Sequence, residues 1–283
     1  MKAPGAERFL NCVMHRSQSD AVVLVAVILL VVLGTPSQLF YTIYSFYSYT
    51  EQSFDLIDLY TMILFMGIIT TFVLYKMVKS LTDHHARDVE WTGSLTEYAE
   101  SCGKDVTELR AIGSEISAVT GIAATKTAQL CFIVVFFFNM SLAIFYAMSF
   151  EYHEDVIYTS EVILLTLIQV DLCLSTLYVY HCFSKLDALQ CRFTEAFSEI
   201  MSEGDRLKTL STGIRQHKLW IHAALMIVTL GIYALPFMLW TVHTQNVHIL
   251  SQWDYETDLL HWMGVRDGAK GIEAVPTKGE ASA

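Results

Sequence analysis

Apolar residues in this chain come in long uncharged blocks, separated by stretches in which polar and apolar positions alternate at helical spacing. The first block follows Asp20. AVVLVAVILLVVLG is almost wholly aliphatic, and no Asp, Glu, Lys or Arg occurs before Glu51. Comparable blocks cover residues 56–78, 127–150, 156–183 and 219–242. A helix needs about 20 mostly apolar residues to cross a bilayer. The pattern therefore predicts five spans, at about 21–47, 56–78, 127–150, 156–183 and 219–242. The predicted fold class is an all-α polytopic transmembrane bundle. Residues 1–20 form its N-terminal segment, 21–243 the transmembrane domain, and 244–283 a polar, partly disordered tail. Aromatic residues crowd several span ends: Tyr41, Tyr44, Phe46, Tyr47 and Tyr49, then Tyr146, Phe150, Tyr152 and Trp240. Such belts belong at membrane interfaces.

The segments between the blocks read as amphipathic helices. Leu189, Phe193, Phe197, Ile200, Leu207, Leu210 and Ile214 recur in steps of three, four or seven, which is one helical stripe. Gly204 predicts a turn that divides the stripe between two helices. Leu109, Ile112, Ile116 and Val119 share one face in the same way. These faces predict a packing or assembly surface, covered by neighbouring helices or by another subunit. Pro236 predicts a kink in the fifth span.

Charge gives the blocks an orientation. Fifteen of the eighteen basic residues fall in the N-terminal segment (Lys2, Arg8, Arg16), in the loop after the second span and in the loop after the fourth. The second-span loop carries Lys76, Lys79, Arg87, Lys104, Arg110 and Lys126, and the fourth-span loop Lys185, Arg192, Arg206, Lys208, Arg215 and Lys218. The loops SYTEQSFD and EYHED carry none. The positive-inside rule places the basic side, with the N-terminus, in the cytoplasm. Five spans then put the tail outside. Lys2, Arg8 and Arg16 before an apolar run also resemble a signal peptide, but uncharged residues 21–50 far exceed an h-region of about 7–15.

Composition narrows the function. The chain is 53% apolar and 17% charged, with a net charge of −11. A nucleic-acid binder should carry a basic face, so none is expected as a partner. The six cysteines show no CxxC and no metal spacing, and read as free thiols. His84-His85 is a lone pair, and the spacings of His217 and His222, and of His243 and His248, miss the i, i+4 face of HExxH sites. GxSxG, Walker and dinucleotide loops are absent from the sequence. The expectation is a non-enzyme without cofactor or metal.

Polar residues inside the blocks are more informative. Asp171 lies near the middle of the fourth span, Glu161 and Gln169 on the same helix, and Asn139 in the third. An ionisable group at bilayer depth costs about 2.5–3.5 kcal/mol on insertion scales, so it faces the bundle interior. It then either lines a pocket or hydrogen-bonds neighbouring helices. Tyr44, Tyr47, Asn139, Tyr146, Tyr158, Glu161 and Asp171 are the candidate lining of a site for a small, mostly apolar ligand.

The layout of short outer loops and long helical extensions, with the run LQCRFTEAFSEIMSEGDRLKTLSTGIRQHKLWIH at 189–222, resembles the insect gustatory/odorant-receptor superfamily of seven-span chemoreceptors. The likeness covers roughly 20–243. The run resembles the family's segment between the fourth and fifth spans, and His217 would take the place of its histidine. The family's Thr-Tyr and Gln-Phe run of the seventh span has no counterpart here, so the resemblance implies a truncated or divergent member and carries over no pore residue. It implies a chemosensory receptor or receptor-like subunit in the plasma membrane, contributing to a ligand-gated cation channel. The implied partners are membrane lipid, a small apolar ligand and related subunits in a homo- or hetero-oligomer. The alternatives are a membrane scaffold or accessory subunit without its own ligand, and a proton-coupled carrier that uses Asp171.

Overall fold

The structure is a computed structural model. It describes residues 4–16, 56–119, 130, 133–134, 137, 154–202, 207–212, 218–229 and 231–264; side chains are described in the second helix from Phe72 and in the fourth from Val170, residue 171 excepted. The described residues are all-helical: α1 Pro4–Met14, α2 Leu56–Ser101, α3 Thr107–Ser117, α4 Glu154–Met201, α5 Leu219–Val228 and α6 Ala234–Trp262. Among the described residues, no helix is long and apolar enough to cross a membrane. The blocks at 21–47 and 127–150 fall outside the described residues almost entirely. The blocks at 56–78 and 156–183 fall on α2 and α4, and most of their side chains are not described.

Three long helices run in the same direction. Ser80, His84 and Asp88 of α2 lie level with Gln245, His248 and Gln252 of α6. Phe183 and Asp187 of α4 reach the same His248, and Phe193 reaches Trp91 of α2. Contacts therefore advance together along all three chains. Helix α1 runs the opposite way, with Arg8 near Glu90 and Glu97 and Cys12 against the Arg87 carbonyl. Its face of Ala6, Phe9, Cys12 and Val13 is buried. The core between the helices is apolar in its lower part, built on Trp91, Leu95, Phe193, Phe197, Tyr255 and Leu259.

α1 lies so close to α2 that Gly5 is required. A Cβ at Gly5 would stand 2.3 Å from the Tyr98 nitrogen and 2.4 Å from the Ser94 carbonyl oxygen. Both are backbone atoms and cannot turn aside. Gly5→Ala is expected to cost about 1–3 kcal/mol, the usual range for overpacking. Limited proteolysis and a thermal melt check this: α1 of the variant should be cut first, and unchanged cleavage would mean that the two backbones are not in contact.

Local chemistry sets the helix ends. α2 stops at Gly103, whose φ of 75° is the left-handed conformation glycine adopts without steric cost. The Gly103 and Lys104 N–H groups then donate to the Glu100 and Ala99 carbonyls. The Asp105 carboxylate accepts from the Thr107 amide and hydroxyl at the start of α3. Those bonds hold the Asp105 carboxyl below its ordinary pKa. α3 buries Leu109, Ile112 and Ile116 in the groove between α2 and α4, and His85 Nε2–H donates to the Ile116 carbonyl.

Three sequence expectations are corrected. The stripe predicted to continue as helix through Leu207 and Leu210 leaves the helix at Met201; residues 207–212 are irregular and run back along α4. Leu207 and Leu210 are buried all the same. Their backbone is held by hydroxyls: Ser198 Oγ–H donates to the Leu207 carbonyl, and the Leu210 N–H donates to Thr194 Oγ1. A residue every three positions in an extended strap mimics the helical step.

The fifth block does not form one helix. α5 ends at Val228, α6 begins at Ala234, and the chain reverses between the two. The reversal is at Gly231, whose φ of 86° favours glycine. Pro236 sits in the first turn of α6, where its missing N–H costs nothing, rather than at a kink.

The third correction concerns the tail. α6 continues to Trp262 and buries Thr244, Gln245, His248, Gln252, Tyr255, Glu256 and Leu259. Its far end meets the N-terminal helix: Arg16 Nη1 donates to the Trp253 carbonyl at 3.2 Å, and Trp262 packs on Tyr98. Residues 4–16 and 244–262 belong to one packed body. They lie on the same side of any membrane the chain crosses, contrary to a tail placed outside.

Candidate functional site: a buried polar seam

The residues expected to line a ligand pocket are largely beyond what the structure describes. Tyr44, Tyr47, Asn139 and Tyr146 lie outside the described residues. Tyr158, Glu161 and Asp171 lie on α4, with side chains that are not described. Of the packing stripe, Leu189, Phe193, Phe197, Leu207 and Leu210 are buried and Ile200 is partly so. Ile214 and His217 lie outside the described residues.

The dominant feature is a seam of buried polar side chains where α2, α4 and α6 meet. It recurs at three- and four-residue spacing: Ser80, His84, Arg87 and Asp88 on α2, Asp187, Gln190 and Thr194 on α4, and Gln245, His248, Gln252 and Glu256 on α6. Each helix thus turns a polar stripe toward the others. Burying such groups is costly unless they are paired, and the seam pairs most of them in layers, the Gln190 amide excepted.

The upper layer joins Gln245 Nε2–H to Ser80 Oγ at 3.1 Å. Below it, His248 and His84 stand edge to face, with ring centroids 5.3 Å apart. His248 Nδ1 lies 2.6 Å from Asp187 Oδ1, and the carboxylate assigns the proton to that nitrogen. Thr212 of the irregular strap donates to the other Asp187 oxygen at 3.4 Å. His84 Nε2 lies 3.3 Å from Asp88 Oδ2, and Gln252 Nε2–H donates to Asp88 Oδ1 at 3.1 Å. Two histidines are therefore bracketed by two carboxylates, on three helices.

The lowest layer is an ion triad. Arg87 Nη1 lies 2.6 Å from Glu256 Oε1, and Arg16 Nη1 lies 3.8 Å from Glu256 Oε2. All three side chains are almost fully buried. The Arg16 guanidinium also lies 4.8 Å from the Trp253 ring centroid, a cation–π contact. Cys12 and Tyr255 border this layer. Burial pushes the Cys12 thiol up to about 12, against the lowering effect of Arg87. Burial raises the Tyr255 phenol too, helped by the Glu256 charge. Both stay neutral at physiological pH, so the triad is the charged part of this layer.

Buried ion pairs add little net stability, so the seam's contribution lies in its geometry. Sliding α6 by one turn would break the Ser80, Asp88, Asp187 and Arg87 contacts together. What the seam does physically is lock the register of three parallel helices and tie the N-terminal helix to them. Among the described residues, no three His, Cys, Asp or Glu side chains converge as a metal ion requires. A groove of about 470 Å³ lies apart from the seam, between α1, α2 and α3, lined by Arg8, Thr92, Gly93, Arg110, Gly113 and Ser114 among others. Its lining mixes charged Arg8, Glu97, Glu100 and Arg110 with Val89 and Leu109, unlike the mainly apolar pocket expected for the ligand.

Sequence reasoning passed over the seam. His84 reads only as a pair with His85 and His248 only by its spacing from His243, and Gln245, Gln252 and Glu256 read as parts of a polar tail. The signal available was polar rather than apolar periodicity: 80-84-87/88, 187-190-194 and 245-248-252-256 each keep one helical face. The chain matches no protein-family profile, no curated protein and no solved structure.

Proposed function

We propose that the chain is a multi-pass membrane protein of the chemosensory receptor kind, or a receptor-like subunit, that responds to a small, mostly apolar ligand at the plasma membrane. The observation that carries this reading is the change of exposed surface along α2 and α4. At the N-terminal end of the described stretches the exposed side chains are Phe72 and Tyr75, and Val170, Leu174 and Tyr178. A turn or two further they are Lys79, Lys185, Arg192, Glu195 and Glu199. Large apolar side chains on an outer face need a non-aqueous neighbour, and basic residues at the point of change suit a cytoplasmic lipid surface. Leu130, Val134 and Phe137 are likewise helical, apolar and more than half exposed. The uncharged blocks at 21–50 and 127–150 supply further crossings.

Within this reading the seam joins the membrane-facing parts of α2 and α4 to α6 and to the N-terminal helix. A ligand bound among the outer parts of the spans would shift α2 against α4, and the layered pairs would pass that shift to the lower bundle as a rigid displacement. The test is expression with a fluorescent tag, extraction with alkaline carbonate, and titration of the purified protein with a panel of volatile and sapid apolar molecules. Resistance to carbonate with saturable binding, abolished by Asp171→Asn while expression persists, supports the receptor. Resistance to carbonate with no binding, alone or beside related subunits, replaces it by a membrane scaffold. Release by carbonate overturns the membrane reading altogether.

A further inference from the structure

We propose that residues 219–242 dip into the cytoplasmic leaflet as a re-entrant helical hairpin, with α5 as the lipid-contacting arm, and return to the side from which they entered. The inference rests on the membrane reading above and goes further by assigning this surface to the acyl region of one leaflet. No Asp, Glu, Lys or Arg occurs between Lys218 and the end of the segment at Val242. Yet α5 has 10 residues, a rise of about 15 Å, whereas the hydrocarbon core is about 30 Å thick. The arm reaches mid-bilayer and no further.

The exposed face of α5 matches lipid rather than water. Only His222 and Met226 are buried, one turn apart. Trp220, Ile227 and Val228 are 66%, 76% and 79% exposed, and Leu219, Ile221 and Leu225 are exposed beside them. The buried pair faces the helices behind it. His222 stacks on Phe237, with centroids 4.3 Å apart, and lies 5.6 Å from the Tyr180 ring of α4. That contact fixes the level of the hairpin. His222 is level with Tyr180, so Val228 reaches about 9 Å beyond it, at 1.5 Å per residue. The tip thereby continues the apolar surface of Leu174 and Tyr178 on α4.

The turn carries a second and independent signature. In hydrocarbon every backbone N–H must be satisfied from within the protein. The Thr229, Gly231, Ile232 and Ala234 amides donate to the carbonyls of Leu225, Met226, Thr229 and Gly231. The Tyr233 amide donates to Thr229 Oγ1, whose own proton goes to the Leu225 carbonyl. Each described amide of the reversal thus has an internal acceptor, which a turn in water does not require. The return is equally clear. α6 runs parallel to α2 and α4 and ends against Arg16 and Tyr98 of the body that holds the N-terminus.

Two measurements on the full chain test the proposal. A photoreactive phenylalanine at Val228, in phosphatidylcholine proteoliposomes, should form adducts with lipid, while the same group at exposed Lys208 should not. Glycosylation acceptors inserted in the 47–54 loop and after Ala283 should, in microsomes, be modified and unmodified respectively. Modification after Ala283 would show a complete crossing and overturn the hairpin, leaving the membrane reading intact. Adducts at Val228 with a second copy of the chain instead of lipid would overturn the lipid assignment. Failure to modify the 47–54 acceptor, with release by carbonate, would remove both readings.

Discussion

Glu256→Ala is expected to destabilise the bundle by about 3–5 kcal/mol, the usual cost of breaking a buried ion pair from one side. Glu256 is fully buried between Arg87 at 2.6 Å and Arg16 at 3.8 Å. Removing the carboxylate takes the Glu256 contact from two guanidinium groups that are themselves out of water. That desolvation, not the lost attraction, dominates the magnitude. The contrast is Glu100, which meets Arg110 at 2.7 Å with both side chains more than half exposed. Water and salt screen that pair, so Glu100→Ala should cost only about 0.2–1 kcal/mol. Thermal melts of both variants in the same detergent make the comparison. Similar losses for the two would mean that Glu256 is not enclosed by the two arginines. Raised salt should narrow the Glu100 effect and leave the Glu256 effect nearly unchanged.

The same contrast explains how far the sequence could be read. Apolar side chains at helical spacing announce a buried face, because the hydrophobic effect acts in the same way wherever they sit. The Leu109, Ile112 and Ile116 face is legible for that reason, and so are Phe193 and Phe197. The seam is not. Gln245, His248, Gln252 and Glu256 score as solvent-facing by type, and only their partners on α2 and α4 make burial affordable. Pairing between residues about 60 to 170 positions apart leaves no mark in local periodicity.

Two other misreadings have different causes. Leu207 and Leu210 keep a three-residue step that an irregular strap shares with a helix, and the side-chain hydroxyls of Thr194 and Ser198 replace the helical backbone bonds. The block at 219–242 has the length and hydropathy of a span, but hydropathy does not count direction. The reversal depends on one glycine at φ 86° and on a threonine that closes the turn. The candidate ligand residues stand differently again. Polarity at membrane depth singles them out, and all of them lie outside the residues whose side chains are described.

Phe193→Ala is expected to cost about 3–5 kcal/mol, the range for removing a buried aromatic ring and leaving its cavity. Phe193 has no exposed surface. Its ring centroid lies 5.6 Å from Trp91 of α2, which in turn lies 6.1 Å from Tyr255 of α6. One ring therefore fills the space where three helices converge, directly below the seam. The neighbours are themselves held, Trp91 and Tyr255 by each other and Tyr255 by its place beside Glu256, so the cavity cannot close cheaply. Leu250 on α6 is the control. It is 39% exposed, and Leu250→Ala should change stability by about 0.5 kcal/mol or less, as surface substitutions do. Denaturant titration of both variants, followed by tryptophan emission, gives the two values. A Phe193→Ala loss no larger than that of Leu250→Ala would show that α4 does not pack on Trp91. A loss in the expected range, with a red-shifted Trp91 signal before global unfolding, would identify this layer as the one that holds the parallel helices together once the polar pairs above it have set their register.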